Sequence, residues 1–183
     1  EEFDQKILEL ARVTRVTAGG KRMRFRALIV VGDRKGRVGY GLAKGLDVQA
    51  AVQKSFTKAK KSVFQIPLVD ETIPHVVQMK DGSAEVLIKP APRGTGIKAG
   101  GPLRVVLELG GVPNVIGKML GSANKLNNVR ATLDALHLLE RHVKDAELRS
   151  KARAELQAKK SAEPKTVAAT TLAPKDAKVA SKE

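Results

Sequence analysis

The chain is 183 residues long, 42% hydrophobic and only 3% aromatic, with a formal net charge of +15. It has no cysteine, which excludes disulfides, thiolate metal sites and a thiol nucleophile, and its longest apolar runs, such as residues 27–31, are far too short to span a bilayer. This length holds one ordinary domain or two small ones, and a folded surface this basic calls for a polyanion beside it, for which nucleic acid is the expectation.

From the N-terminus, residues 11–17 read as a strand of poor alternation, joined by Ala18-Gly19-Gly20-Lys21 to a second strand. There Met23, Phe25, Ala27, Ile29 and Val31 alternate with Arg24, Arg26, Leu28 and Val30, the two-residue period of extended chain. Asp33-Arg34-Lys35-Gly36 is a turn, with Gly36 able to take positive φ. Val38, Tyr40 and Leu42, alternating with Arg37, Gly39 and Gly41, complete a hairpin. Asp47 stands at the N-cap of a helix. The core stripe of that helix is Val48, Ala51, Val52, Ser55, Phe56, Ala59 and Val63, and Lys54, Lys58 and Lys61 fall on another stripe. Residues 1–66 are thus expected to hold three strands followed by a helix.

Residues 67–72, which begin at Pro67, read as a linker to a second domain over residues 73–144. That domain is expected to have strands at 73–79 and 84–89 and a loop rich in Gly and Pro at 90–101. A helix should start at Pro102 and stop at Gly110-Gly111. A strand at 115–120 and a final helix marked by Leu126, Val129, Leu133 and Leu136 complete it. Over residues 145–183 the composition shifts to Ala, Lys, Glu, Ser, Thr and Pro. This extension is expected to be helical to about residue 160 and disordered beyond. The fold class is α+β, built as two small two-layer domains.

Thirteen lysines and arginines against two acids, Asp33 and Asp47, fall between Arg15 and Lys61, so this stretch carries +11 of the +15. Five of these cations, Arg15, Lys21, Arg22, Arg24 and Arg26, surround Gly19 and Gly20 with no acid among them. Glycine lets backbone come close to a partner, and the cations can meet phosphates. A solvated edge guarded against aggregation is the competing account. The Lys54, Lys58 and Lys61 stripe can straddle an RNA groove by shape, or be an ordinary solvated helix face. Ser122, Asn124, Lys125, Asn127 and Arg130 crowd a helix start, where free N–H groups and the dipole favour an anion; capping by Ser122 or Asn124 is the simpler use.

The loop Arg93-Gly94-Thr95-Gly96-Ile97-Lys98-Ala99-Gly100-Gly101, with Arg104 in the helix after it, sits between a strand and a helix. It fits the looser G-x-G-x-x-[GA] pattern, but the acid expected about 20 residues on is missing, and so is Gly-Lys-Ser/Thr. Contact of this backbone with RNA or a partner protein is expected rather than nucleotide binding; glycines placed for tight turns and close backbone packing are the competing account. His75, His137 and His142 lack a spaced metal partner, and the acids form no recognisable pair. We therefore expect no enzyme, no cofactor and no metal. No basic amphipathic helix with large apolar residues argues for a membrane surface, so no membrane partner is expected.

Several segments in order carry a resemblance: Arg15-Val16 with Gly19-Gly20, Val30-Val31-Gly32-Asp33, Gly36-Arg37-Val38-Gly39, Thr72-Ile73-Pro74-His75, Lys89-Pro90-Ala91, Gly94-Thr95-Gly96 with Ala99-Gly100-Gly101, and Gly121-Ser122 with Asn124 and Val129-Arg130-Ala131-Thr132. Together they resemble the bacterial-type family of small-subunit ribosomal protein five. The resemblance implies an N-terminal domain similar to a double-stranded-RNA-binding domain, of β3-α order, and a C-terminal β3-α-β-α domain with a left-handed crossover, against the right-handed default. It implies a structural constituent of the small ribosomal subunit that binds small-subunit rRNA and contacts ribosomal proteins four and eight. It also implies a part in decoding accuracy and a position near the channel by which mRNA enters. By resemblance, the Gly19-Gly20 loop reaches rRNA near the head–neck junction, and residues 94–104 lie near protein four. The expected location is the cytoplasmic ribosome, or an organelle's if a targeting segment preceded Glu1; a free double-stranded-RNA-binding regulator is the alternative. The sequence departs from the family pattern at Ala18, Gly45, Lys125 and Asn128.

Overall fold

The computed structural model describes residues 3–162, with side chains through residue 143. Its first sheet is an antiparallel array of β1 (Asp4–Thr17), β2 (Gly20–Gly32), β3 (Arg37–Gly45) and the short β4 (Phe64–Gln65), in that order. β1 starts seven residues before the expected strand. A register shift between Ile7 and Glu9 explains its poor alternation, because a bulge moves every later side chain to the opposite face.

α1 (Val48–Lys61) covers one face of this sheet. Ala27, Ile29 and Val31 of β2 form an apolar cluster there with Ala51 and Ala59, flanked by Phe25, Val52 and Phe56. The helix lies close because β3 offers glycine where other strands carry side chains. A Cβ on Gly39 would stand 2.7 Å from the Ala59 carbonyl oxygen, and one on Gly45 would stand 2.6 Å from the Ala51 nitrogen. One on Gly41 would overlap the Ser55 carbonyl. Ser55, fully buried, donates its hydroxyl to the Ala27 carbonyl at 3.0 Å, which removes the cost of burying it unpaired. Asp47 is the N-cap of α1, as the sequence predicts, and acts through its backbone: its carbonyl accepts the Ala51 N–H at 3.0 Å while its side chain makes no cap bond.

The other face of the sheet is covered too. Leu28, Val30 and Val38 belong to one apolar cluster with Ile88, Leu103, Leu107, Leu136 and Leu139 of the second half. Residues 27–31 are apolar without a break because the centre of β2 has no solvent face.

The second half runs β5 (Val77–Asp81), β6 (Ala84–Pro90), β7 (Ile97–Lys98), α2 (Gly101–Leu109), β8 (Val115–Gly121) and α3 (Lys125–Ala162). Its sheet order is β5-β6-β8-β7, with β7 parallel to β8 and the other pairs antiparallel. The three strands, helix, strand and helix expected by resemblance are present. β5 begins at Val77 rather than residue 73, and Pro74, which lacks an N–H, lies ahead of it. β7 falls inside the segment read as loop and is too short for any periodicity to reveal.

Both sheets lie in one compact unit that reaches Ala146. Residues 67–72 do not form a loose tether. The Ile66 N–H donates to Gly36 at 2.7 Å, Val69 and Thr72 exchange backbone bonds, and the Thr72 hydroxyl donates to the Asn114 carbonyl at 2.7 Å. The β2–β3 turn is anchored likewise, with the Arg34 N–H donating to the Leu109 carbonyl at the end of α2. The expected disordered stretch beyond about residue 160 falls almost wholly outside the described residues.

Candidate nucleic-acid interface

Two residues, Ala18 and Gly19, separate β1 from β2, and Gly20 opens β2 with φ +123°, a conformation that strains any residue with a side chain. No heavy atom approaches within 4 Å of where a Cβ would stand on Gly19 or Gly20, so this backbone is open to a partner.

Register decides which cations share a face. Arg15 stands opposite Arg22, Val13 opposite Arg24, and Ala11 and Lys44 on either side of Arg26. Arg15, Arg22, Arg24, Arg26 and Lys44 therefore share one face of the sheet. Directly opposed like charges destabilise a strand pair, and the Arg15–Arg22 pair does so where a bound polyanion would relieve it.

A hollow of about 520 Å³ is lined by Val13, Thr14, Arg15, Thr17, Arg22, Arg24 and Lys44. A second, of about 560 Å³, is lined by Leu42, Ala43, Thr57 and the cations Arg24, Lys44, Lys54, Lys58 and Lys61. Arg24 and Lys44 line both, so the two hollows join around the β3 edge into one groove with seven cations and no acid in its lining. The hairpin cluster and the α1 lysine stripe, read separately from the sequence, are a single surface.

Two of the sequence-selected cations stand apart from this groove. Lys21 pairs with Val16, and alternation turns it to the opposite face from Arg22. Arg26 is engaged: its Nη2 lies 2.6 Å from Glu9 Oε1 in a part-buried ion pair. Lys44 lies on the alternating positions of Tyr40 and Leu42, a pattern that does not mark it as a site residue; only the register with Arg26 shows its company. Lys60, next to Lys61, instead lies over the Phe56 and Phe3 rings at 4.7 and 5.8 Å.

The start of α3 is a self-satisfied cap. Asn124 Oδ1 accepts the Leu126 N–H, and the Ser122 hydroxyl accepts the Asn124 N–H, both at 3.1 Å. Buried Asn128 donates from Nδ2 to the carbonyls of Ser122 and Asn124 at 2.9 and 3.0 Å. Lys125 reaches back to the Leu8 carbonyl at 3.3 Å, while Asn127 is half-buried and Arg130 exposed. Capping thus accounts for Ser122 and Asn124, whereas Arg130 keeps its charge toward solvent.

In the loop before α2, Gly94 and Gly96 take φ +85° and +71°. The Gly96 N–H donates to the buried Asn114 side chain at 3.1 Å, and Thr95 closes a turn onto the Pro92 carbonyl. Gly100 caps α2 with no side chain, and a Cβ there would meet the Met119 methyl at 2.6 Å. Gly101 has open space around it. Lys98 and Arg104 are exposed, and Arg93 lies 3.7 Å from Glu71 in an exposed pair. This loop is separate from the basic groove.

Burial pushes the Asp33 carboxyl up, but hydrogen bonds from the Arg37 guanidinium and from the Lys35 and Arg37 N–H groups outweigh it and hold Asp33 below its ordinary value. Asp33 braces the β2–β3 turn and does not face the groove. His75 Nε2 and His142 Nδ1 lie 3.0 Å apart, a contact between segments 67 residues apart that no local spacing foretells.

Residues 3–67 match the family model described as ribosomal protein S5, N-terminal domain, and residues 79–149 match that described as ribosomal protein S5, C-terminal domain.

Proposed function

The chain belongs to the ribosomal protein S5 family, and from that premise we propose that its joined basic groove is the surface that holds folded small-subunit rRNA. Membership makes it a ribosomal, rRNA-binding protein with other ribosomal proteins as neighbours. Among the described residues no helix is long and apolar enough to cross a membrane.

The observation that carries the reading is the convergence of Arg15, Arg22, Arg24, Lys44, Lys54, Lys58 and Lys61 around one groove. Phosphates bound there neutralise the Arg15–Arg22 repulsion, and the open Gly19-Gly20 backbone allows close approach. The work is charge neutralisation and shape matching rather than chemistry on a substrate. Arg130 and Lys125 extend the basic surface at the start of α3.

The loop from Arg93 to Gly101, with Arg104, faces a partner protein in this proposal, and by family resemblance that partner is ribosomal protein four. Contact with protein eight, a position beside the mRNA channel and an influence on decoding accuracy rest on the same resemblance. The groove reading is tested by crosslinking intact particles and mapping the joined nucleotides. Crosslinks from Arg24 and Lys44 to small-subunit rRNA are expected; crosslinks only from the opposite face, at Lys21, would refute it. Sedimentation separates this role from that of a free double-stranded-RNA-binding regulator: the chain should travel with the small subunit and not with lighter RNA.

A further inference from the structure

We propose that the seam between β3–β4 and α3 receives one unpaired RNA base, stacked on Tyr40, Phe64 and His137 and read at its edge by Asp134. The inference rests on the rRNA-binding reading and adds a subsite to it. A hollow of about 240 Å³ lies in this seam, lined by Tyr40, Phe64, Arg130, Asp134 and His137 together with Ser62 and Leu133. That is below the ~300–1,000 Å³ usual for small-molecule pockets and suits a single ring system.

Aromatics are scarce in this chain, with one Tyr, four Phe and no Trp, yet two of the five line this one hollow. All three flat side chains are half-buried, Tyr40 and Phe64 resting against the edge of the core. Phe64 and His137 are stacked with centroids 3.8 Å apart and planes 30° apart. Glu140 Oε2, 3.6 Å from His137 Nδ1, steadies the ring. Such a platform stacks an unstacked base.

The polar groups suit the rest of a nucleotide. Arg130 and Asp134 stand one turn apart on α3, both exposed, and no ion pair between them forms among the described residues. The guanidinium can take the phosphate, and the carboxylate can accept N–H donors from the base's pairing edge. Guanine offers two such donors there, cytosine and adenine an amino group, and uracil a single imino N–H.

The seam also continues the groove. Tyr40, Leu42 and Lys44 occupy alternate positions of β3 and so share a face, which sets Tyr40 about 13 Å along the strand from Lys44. RNA seated on Lys44 and Arg24 passes the mouth of the hollow. Arg141, further along α3, lines an adjacent hollow with Met79, Asp134 and His137 and can receive the next phosphate.

The test uses the intact chain with two RNA hairpins, one a perfect duplex and one carrying a single unpaired guanosine. Tyr40 is the only Tyr and there is no Trp, so intrinsic fluorescence reports this seam alone. The bulged RNA should bind about tenfold more tightly than the perfect duplex, a modest value for one stacked base, and should quench Tyr40 where the perfect duplex does not. His137→Ala should abolish the tenfold gain and leave perfect-duplex affinity unchanged; Asp134→Asn, at an exposed site, should remove the preference for guanosine over uridine in the bulge. Equal affinity for the two RNAs with unaltered Tyr40 emission overturns the subsite. If neither RNA binds, the groove reading fails, and titration with guanosine monophosphate then decides the seam separately: quenching of Tyr40 sustains it and a flat trace ends it.

Discussion

The double variant Arg24→Ala/Lys44→Ala tests the joined groove where its two halves meet, since these two residues line both hollows. If each of the seven lining cations neutralises one phosphate, log K against log[salt] should fall with a slope of about −6.3, at about 0.9 per phosphate. Between 50 and 200 mM salt the parent chain then loses about 6,000-fold in affinity. Removing two contacts brings the slope to about −4.5 and the loss to about 500-fold. The assay is anisotropy of a labelled small-subunit rRNA fragment across a salt series, with circular dichroism confirming the fold. Lys21→Ala is the matched control, because it removes a hairpin charge that register turns to the other face. A double variant whose slope stays within about 0.5 of the parent, or a Lys21→Ala slope that falls as far as the double variant's, would show that net charge and not the groove governs binding.

Gly41→Ala should cost about 2–3 kcal/mol, because a Cβ there overlaps the Ser55 backbone rather than a movable side chain; the melting temperature should drop by roughly 5–10 °C, and an unchanged value would contradict the close approach of α1. Asp33 is held ionised below its ordinary value, so its stabilising contribution is complete above about pH 4 and is lost as pH falls through the depressed native value. The stability gap between the parent and Asp33→Asn, read from urea midpoints at pH 7 and pH 2.5, should therefore narrow in acid; a widening gap would reverse the assignment. Asn128→Asp should destabilise the start of α3 by about 3 kcal/mol or more, since it buries a charge and loses both Nδ2 donors. Asn128→Val should cost only about 1 kcal/mol, because it also removes Oδ1, a buried atom with no hydrogen-bond partner in the structure; equal losses for the two would count against this account.

Element identity was legible wherever one face of an element meets solvent and the other meets core. α1 shows its small-residue stripe at Ala51, Ser55 and Ala59. Legibility failed where that contrast disappears. The bulge in β1 erased its alternation, β4 and β7 are two residues long, and the centre of β2 is buried on both faces. The candidate site shows the same divide. That residues 15–61 are basic is a matter of counting, but which cations act together is set by register. A shift of one residue would exchange Lys21 for Arg22 and bring Val16 into the groove in place of Arg15. The seam lies further from view, because Tyr40 and His137 are nearly a hundred residues apart and meet only after the two halves have packed into one core. The basic groove is a property of β1, β2, β3 and α1 alone, whereas the aromatic seam depends on both halves being docked. A substitution that loosens the docking, such as a bulky residue at Gly32 where a Cβ would press on the Leu109 backbone, should therefore spare salt-dependent RNA binding and remove base discrimination.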